Sequence, residues 1–493
     1  LARLKGGLQV SQGFSALFIN GKVEADQNES RNGAATDQKS DGGDPIANDT
    51  NNPRGEPGTF WPRILGAGGA FISLPIDDMV TAGLGVFAPG GGNLNYKSDW
   101  TGAYQIDSIA IELININPSI GIRFDDKHSI GLGVSVIGGH IRQKTQIDVK
   151  GVTPYLLDSA LSSGTLNLLG LPVGTTLEAV YGLGCKGVIG STLSLITNPV
   201  CRGLILDGVG GGLADPTSSG SAQVEMYGYG LGFNVGYMFS LNDKTRFGLA
   251  YRSESKVKFR GDLEWDLENI KGSDLYTTLQ PNQTLEVYLR ENLRPDTTTK
   301  GNLIIPARTS ANVFHKLNDK IDLMADFTFI ETSAVDKIRV QLLNGKRKNG
   351  DPIEQGDAGI DTKWRDSFKV SFGGNYHYDD KLTLKSGFQY DMTPVPSAEF
   401  RHPGAPDSDR YMYSIGANYK LKKNLTIDAA YSVTFLADAE SNYTDRCRTL
   451  TRDDAEGNYD PNGEKCTGNG GVFKGRFFDT SIQTMSVQMN QKF

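Results

Sequence analysis

Residues able to do chemistry are sparse in this chain, and their spacing fits few of the familiar sites. Gly182-Leu183-Gly184-Cys185-Lys186-Gly187 matches G-x-G-x-x-G, but it lacks the strand–turn–helix unit that a dinucleotide site requires. The five histidines, His128, His140, His315, His377 and His402, are scattered without metal-ligand spacing. Asp41-Gly42-Gly43-Asp44 could offer carboxylate oxygens to calcium, yet it lacks the spaced pattern of an EF-hand and reads better as a solvated loop. Walker A, H-E-x-x-H, nucleophile-elbow and C-x-x-C sequences are missing. The expectation is therefore a protein that is not an enzyme and has no cofactor and no metal site. Four cysteines form two local pairs, Cys185 with Cys201 and Cys447 with Cys466. In an exported chain these suggest loop disulfides; three connectivities are open and nearest-neighbour pairing is preferred.

The elements that would carry any site are strands. In 493 residues with 60 Gly, 19 Tyr, 22 Phe and 38% hydrophobic residues, no apolar run is long enough for a spanning helix. The net charge of −7 supplies no basic footprint for nucleic acid. Leu1-Ala2-Arg3-Leu4-Lys5 has no apolar core of a signal peptide. The recurring signal is two-residue alternation over about ten residues, the length of a tilted strand crossing hydrocarbon. Leu425, Ile427, Ala429, Tyr431, Val433 and Phe435 alternate with Thr426, Asp428, Ala430, Ser432 and Thr434. In the last run Met485, Val487, Met489 and Phe493 share one face, with Thr484, Ser486, Gln488, Asn490 and Lys492 on the other. Short polar connections such as Asp125-Asp126-Lys127, Asn242-Asp243-Lys244, Asn318-Asp319-Lys320 and Asp379-Asp380-Lys381 alternate with long ones. A β-sandwich would also alternate, but with shorter strands and an apolar inner face. The pattern points to an all-β chain, a transmembrane antiparallel β-barrel with short periplasmic turns and long extracellular loops. An aromatic terminus, Phe493, completes the last strand.

The long loops fall at about 25–58, 151–221, 266–300, 342–363 and 436–474. The second is rich in leucine, including Leu157, Leu161 and Leu168, and the i, i+4 spacing of Leu157 and Leu161 allows a short helix. So apolar a surface loop either packs as a small core over the mouth or presents a greasy ligand groove, and the two are compatible.

Particular segments resemble the long-chain fatty acid and hydrocarbon transporter (FadL/TodX) family. Tyr251-Arg252-Ser253-Glu254-Ser255-Lys256-Val257-Lys258-Phe259-Arg260-Gly261 resembles its Y-R-S-x-x-K-x-x-F-K-G segment, and Gly228 to Gly236 its glycine-rich strand. Tyr390-Asp391-Met392-Thr393-Pro394-Val395-Pro396 followed by Pro406-Asp407-Ser408-Asp409-Arg410 resembles its D-x-x-P-V-P and P-D-x-D-R connection. The order matches over nearly the whole chain.

That resemblance implies an outer-membrane barrel of about fourteen strands, plugged by an N-terminal hatch. Leu1-Ala2-Arg3-Leu4 resembles the residues just after the hatch's closing N-P-A turn, so a hatch is expected to precede them. By position the family's kinked third strand falls at Val80 to Tyr96, making Ala88, Pro89, Gly90, Gly91 and Gly92 the expected lateral gate. Pro and clustered Gly there would break ladder pairing; an ordinary loop is the alternative. The family's carboxylate-holding basic pair maps to His140 and Arg142, and to Arg365. Equally, these could be lumen or rim residues balancing nearby acids. The implied function is passive transport of hydrophobic small molecules, fatty acids or other hydrocarbons, with release into the membrane. The expected partners are such a ligand and outer-membrane lipid and lipopolysaccharide, around a monomer. The rival is a non-transporting barrel that docks or shuttles for an envelope or secretion complex.

Overall fold

The computed structural model describes residues 4, 7–26, 30–32, 64–96, 100–147, 218–272, 277, 282–292, 294–343, 345–346, 350, 357–445 and 471–493. Its strands form a closed antiparallel barrel of fourteen passes. The first half runs β1 (Gln9–Ala25), β2 (Ile64–Pro75), β3 (Val80–Phe87, then Gly91–Asn95), β4 (Ser108–Arg123), β5 (His128–Ile147), β6 (Gly220–Ser240) and β7 (Thr245–Arg252, then Ser255–Asp266). The second half runs β8 (Thr297–Ile305, then Arg308–Lys316), β9 (Ile321–Ile330, then Lys337–Leu343), β10 (Asp357–Asp361, then Ser367–His377), β11 (Leu382–Asp391), β12 (Arg410–Lys422), β13 (Leu425–Leu436, then Ala439–Asp445) and β14 (Gly471–Lys492). Neighbours pair in chain order, and β14 closes onto β1 from Gln9↔Lys492 to Ala25↔Gly475. Closure removes both sheet edges, which a membrane-spanning sheet cannot leave open to lipid.

Alternation sorts the side chains. Phe14, Leu84, Val134, Leu231, Leu249, Phe372, Ile415 and Val487 are all between 41% and 64% exposed. Registers connect these rows from strand to strand on the outer face. A water-soluble protein would bury such a belt; here it is the lipid contact. The opposite face is a polar wall held by side-chain bonds: Ser11 Oγ to Asn490 Oδ1 at 2.7 Å, Ser310 to Thr328 at 2.8 Å, Lys385 to Asp428 at 2.7 Å.

Five of the six turns at the Phe493 end share one device. The Oδ1 of Asp77, Asp125, Asn242, Asn318 and Asp379 each accepts from the backbone N–H groups two and three residues on. An Asp or Asn opening a tight turn is selected for this contact. The two N–H bonds hold the Asp379 carboxyl below the usual carboxylate range.

At the other end several strands outrun the bilayer. β5, β6 and β14 have 20, 21 and 22 residues, against the roughly ten that cross hydrocarbon. All five expected loops are therefore partly strand: Arg31–Asn32 pairs with β14, Gly220 opens β6, Thr297 opens β8, Asp357–Asp361 lies in β10, and Ala439–Asp445 lies in β13. Above the lipid both strand faces meet water or protein, so these segments lose the alternation that marks a crossing. Within 266–300 a short helix, α1 (Leu285–Asn292), buries Leu285, Tyr288 and Leu289.

Candidate functional site

The wall breaks in one place that the sequence singles out. The lower part of β3 pairs on both sides, with β2 from Pro75↔Thr81 to Gly69↔Phe87 and with β4 as far as Phe87↔Asn115. Pairing with β4 resumes at Gly91↔Glu112, so β3 spends four steps where β4 spends three. The extra residue makes a bulge, and Pro89 within it has no N–H to offer the ladder. Gly91 has φ +151°, and a Cβ there would lie 2.6 Å from the Ile111 carbonyl oxygen, so only glycine fits.

Beyond the bulge Gly91–Asn95 pairs with β4 alone, and Ile64 to Gly68 of β2 pairs with β1 alone among the described residues. Two strand edges thus face each other without a ladder, bordered by Ala88, Pro89, Gly90, Gly91 and Gly92. A Cβ added at Gly90 or Gly92 would meet nothing within 4 Å. Just below, on the lumen side, Phe87 stacks on Phe71 with ring centroids 5.7 Å apart.

Inside the barrel a hollow of 390 Å³ lies on the wall formed by β4 to β8, lined by Ser119, Asn234, Ala250, Arg252, Arg308 and Ser310, with Gly131 and Gly236 at its back. Glycine makes this room: a Cβ at Gly133 would come within 2.9 Å of the Asn234 amide and 3.1 Å of Ser119 Cβ. Asn117 reaches over Gly133 and donates to Asn234 Oδ1 at 2.8 Å.

The expected site residues do not assemble around this hollow. His140 and Arg142 continue the outward row of Leu132, Val134 and Val136, so they face away from the lumen. There His140 lies flat on Tyr227, 4.3 Å between centroids, with Nε2 2.8 Å from Glu225 and Nδ1 3.3 Å from Glu112; Arg142 reaches Glu112 at 3.4 Å. Arg365 is exposed in the connection inside β10, where its N–H donates to the Pro394 carbonyl. Among the described residues no contact joins it to His140 or Arg142. Period-2 parity assigns faces only when register is known, and position in a family pattern does not supply it. Leu157, Leu161, Leu168, Cys185, Cys201, Cys447, Cys466, the glycines at 182–187 and Asp41–Asp44 lie outside the described residues.

The D-x-x-P-V-P and P-D-x-D-R segments are architectural. Asp391 receives Lys369 at 2.8 Å and Arg410 at 3.0 Å, and Arg410 also grips Asp407. Asp409 accepts from the Thr393 N–H at 2.8 Å. These bonds fold residues 392–409 back over the rim, where the Pro403 carbonyl accepts from the Tyr96 hydroxyl at 2.8 Å.

The neighbouring His402 is buried edge-on to Tyr443, and its Nδ1 accepts the Gly404 N–H at 2.8 Å. Burial pushes its pKa down to about 3. A depressed histidine pKa means that the folded rim holds the neutral ring and that the opened rim binds the extra proton. Its contribution is complete above the ordinary value near 6.5 and is lost as pH falls below it, by about 1.4 kcal/mol per unit. Lowering the pH from 7 to 5 should weaken this loop by about 2 kcal/mol, read as faster proteolysis within 392–409. The His402→Gln variant should flatten that pH response; an equally steep one would mean that another group is responsible.

Comparison with known proteins comes after this geometry. Residues 1–467 match the family described as outer membrane protein transport protein (OMPP1/FadL/TodX). The chain is 29% identical over 215 residues to a putative outer membrane protein of Neisseria meningitidis, covering 44% of each chain. It is 24% identical over 322 residues to the long-chain fatty acid transport protein of Escherichia coli, covering 65% of each. The chain thus spans less than two thirds of these curated relatives. Among solved structures, a Pseudomonas aeruginosa FadL homologue superposes with TM-score 0.67 at 21% identity, covering 99% of this chain and 90% of that one. The Pseudomonas putida toluene transporter TodX gives 0.60 at 14% identity, covering 100% and 92%. At these identities the likeness is one of fold.

Proposed function

The chain belongs to the outer membrane protein transport protein family (OMPP1/FadL/TodX), and on that premise we propose that it carries hydrophobic small molecules across the outer membrane by passive diffusion, releasing them sideways into the bilayer. The observation that carries this reading is the unpaired stretch between Ile64–Gly68 of β2 and Gly91–Asn95 of β3. Backbone left unpaired in a membrane wall is tolerated where it lines a passage. An apolar ligand that leaves there enters lipid directly and never crosses the polar lumen below. The gain is about 0.8 kcal/mol per CH₂ transferred from water to hydrocarbon. The passage of an uncharged apolar ligand moves no charge and needs no covalent step, so a concentration gradient is enough. The lipid-facing belt and the outer polar cluster of Glu112, His140, Arg142 and Glu225 suit contact with outer-membrane lipid and lipopolysaccharide around a single barrel.

The test is binding and uptake of octadecane and octadecanoate, measured on the full-length protein in mild detergent and on cells that express it. Binding together with expression-dependent uptake is the expected result. If neither ligand binds and uptake equals that of cells lacking the protein, the transport reading fails and a docking role takes its place.

A further inference from the structure

At the long-loop end, which faces the cell exterior in an outer-membrane barrel, the strands carry cations on their outer face. Many have an acid beside them. Lys22 of β1 bonds Asp479 at 2.8 Å, and Arg476 of β14 bonds Glu24 at 3.1 Å. Arg142 of β5 reaches Glu112 at 3.4 Å, and Lys337 of β9 reaches Asp361 at 3.9 Å. The face of β7 and β8 differs. Lys256, Lys258, Arg260 and Lys300 are all exposed, and none has a hydrogen bond or ion pair among the described residues. Asp262 and Glu264 follow on the same row of β7 but bond none of the four.

Register gathers these four side chains. Val257, Phe259 and Leu263 are buried in one cluster with Val224 and Met226 on the inner face, so the even positions of β7 point outward. Lys258 pairs with Tyr229 of β6 and Arg260 with Tyr227, two rings that are 72% and 62% exposed. On its other side Arg260 pairs with Lys300 of β8. Like charges directly opposite, with Cβ atoms about 5 Å apart, destabilise a sheet. Successive outward positions along a strand are only about 7 Å apart. Four cations so close together, with no acid bonded to them, leave a charge that an anion outside the chain would neutralise.

Height decides which anion that is. Exposed tyrosines mark the girdle where lipid tails give way to head groups, so an anion on the row of Tyr227 and Tyr229 sits at head-group level. A tail attached to it would run down the exposed side chains of Leu231 and Phe233 on the same strand. We propose that Lys256, Lys258, Arg260 and Lys300 form a docking site for the phosphate groups of lipid A, the bis-phosphorylated and acylated anchor of lipopolysaccharide. Arg260 offers a fork to two phosphate oxygens, and the lysines act as point charges. The site rests on the lipid contact proposed above and gives it residues and a head-group chemistry; it does not depend on transport. Strands β4, β5 and β6 separate it from the opening between β2 and β3.

The experiment measures binding of lipid A and of its dephosphorylated form to the full-length protein in mild detergent. The same titrations are made on the quadruple variant Lys256→Gln, Lys258→Gln, Arg260→Gln, Lys300→Gln, and on Lys22→Gln with Arg476→Gln, which removes two paired cations elsewhere on the outer face. An unchanged thermal melt shows that each variant is folded. Wild type should bind lipid A about tenfold or more tighter than the dephosphorylated form, and the quadruple variant should lose that preference. The double variant should keep it, and inorganic phosphate should not displace the lipid. Uptake of octadecane should be the same in the quadruple variant as in wild type, so failure of the site and failure of transport are told apart. Equal binding of the two lipids by wild type would overturn the site, as would a quadruple variant that keeps the preference or a double variant that loses it. Displacement by inorganic phosphate would overturn lipid A as the occupant, leaving an anion site without a lipid.

Discussion

Deleting Pro89 is expected to lower uptake of octadecane by about tenfold or more while leaving its binding to the solubilised protein unchanged, because on the proposed route of release the deletion closes the opening by which the ligand leaves. The argument is one of register. From Phe87↔Asn115 to Gly91↔Glu112, β3 uses one residue more than β4. Removing that residue lets the upper segment continue the lower one without a bulge. Continuing the β2 register past Gly69↔Phe87 then brings the segment alongside Gly68 to Ile64, whose outer edge has no ladder now. Pro89→Ala is the informative companion: it restores an N–H but keeps the extra residue, so transport should persist. The measurement is the initial rate of uptake of labelled octadecane by cells expressing equal amounts of each form. Wild-type rates from the deletion would show that ligands leave by another route.

The barrel itself was legible because the membrane imposes a simple rule on sequence. Leu425 to Phe435 and Thr484 to Phe493 alternate since one face of each strand meets lipid and the other meets a polar wall, and both runs form strands with those faces. The break in β3 was legible for a related reason, as Pro89 and the glycines around it have few other uses in a strand. The face on which each charged residue lies was not. His140 and Arg142 face outward because β5 runs in unbroken register against β6, so these even positions follow Leu132, Val134 and Val136, a parity that position in a family pattern does not supply. Arg252 stood inside a quoted motif, Tyr251-Arg252-Ser253, without a reason to prefer it. Only pairing with Arg308, 56 residues further on, sets it on the wall of the lumen hollow. The Asp391 and Arg410 segments, legible as a family connection, fasten the rim, a role their residue types alone do not state, since acids and arginines that satisfy one another read the same in sequence as those that await a ligand.

Replacing Trp100 with alanine should cost about 3–5 kcal/mol at the rim, the range for emptying a buried aromatic site. Trp100 is fully buried, stacks on Tyr96 at 4.0 Å, meets the Phe473 ring tilted at 58° and 5.3 Å, and donates its Nε1–H to the Ile106 carbonyl at 2.9 Å. Val23, Ala103, Ile106 and Phe477 complete the cluster, so it joins β1, β14 and the connection after β3. Alanine would leave a cavity and an unsatisfied carbonyl; phenylalanine would restore most of the packing but not the hydrogen bond, and should cost about 1–3 kcal/mol. Native-state hydrogen exchange at the Ala103 and Ile106 amides, bonded to the Trp100 and Gly102 carbonyls, reads this directly. Exchange as slow as wild type in the alanine variant would show that the cluster does not hold the rim. The consequence reaches the opening below. The segment Gly91–Asn95 is held on one side by β4 and at its end by Tyr96, whose ring lies on Trp100 and whose hydroxyl binds Pro403. This anchor draws the segment toward the rim rather than toward β2. Loosening it should therefore let the two unpaired edges approach one another, and the alanine variant should lose uptake along with rim stability, while a Pro89 deletion loses uptake alone.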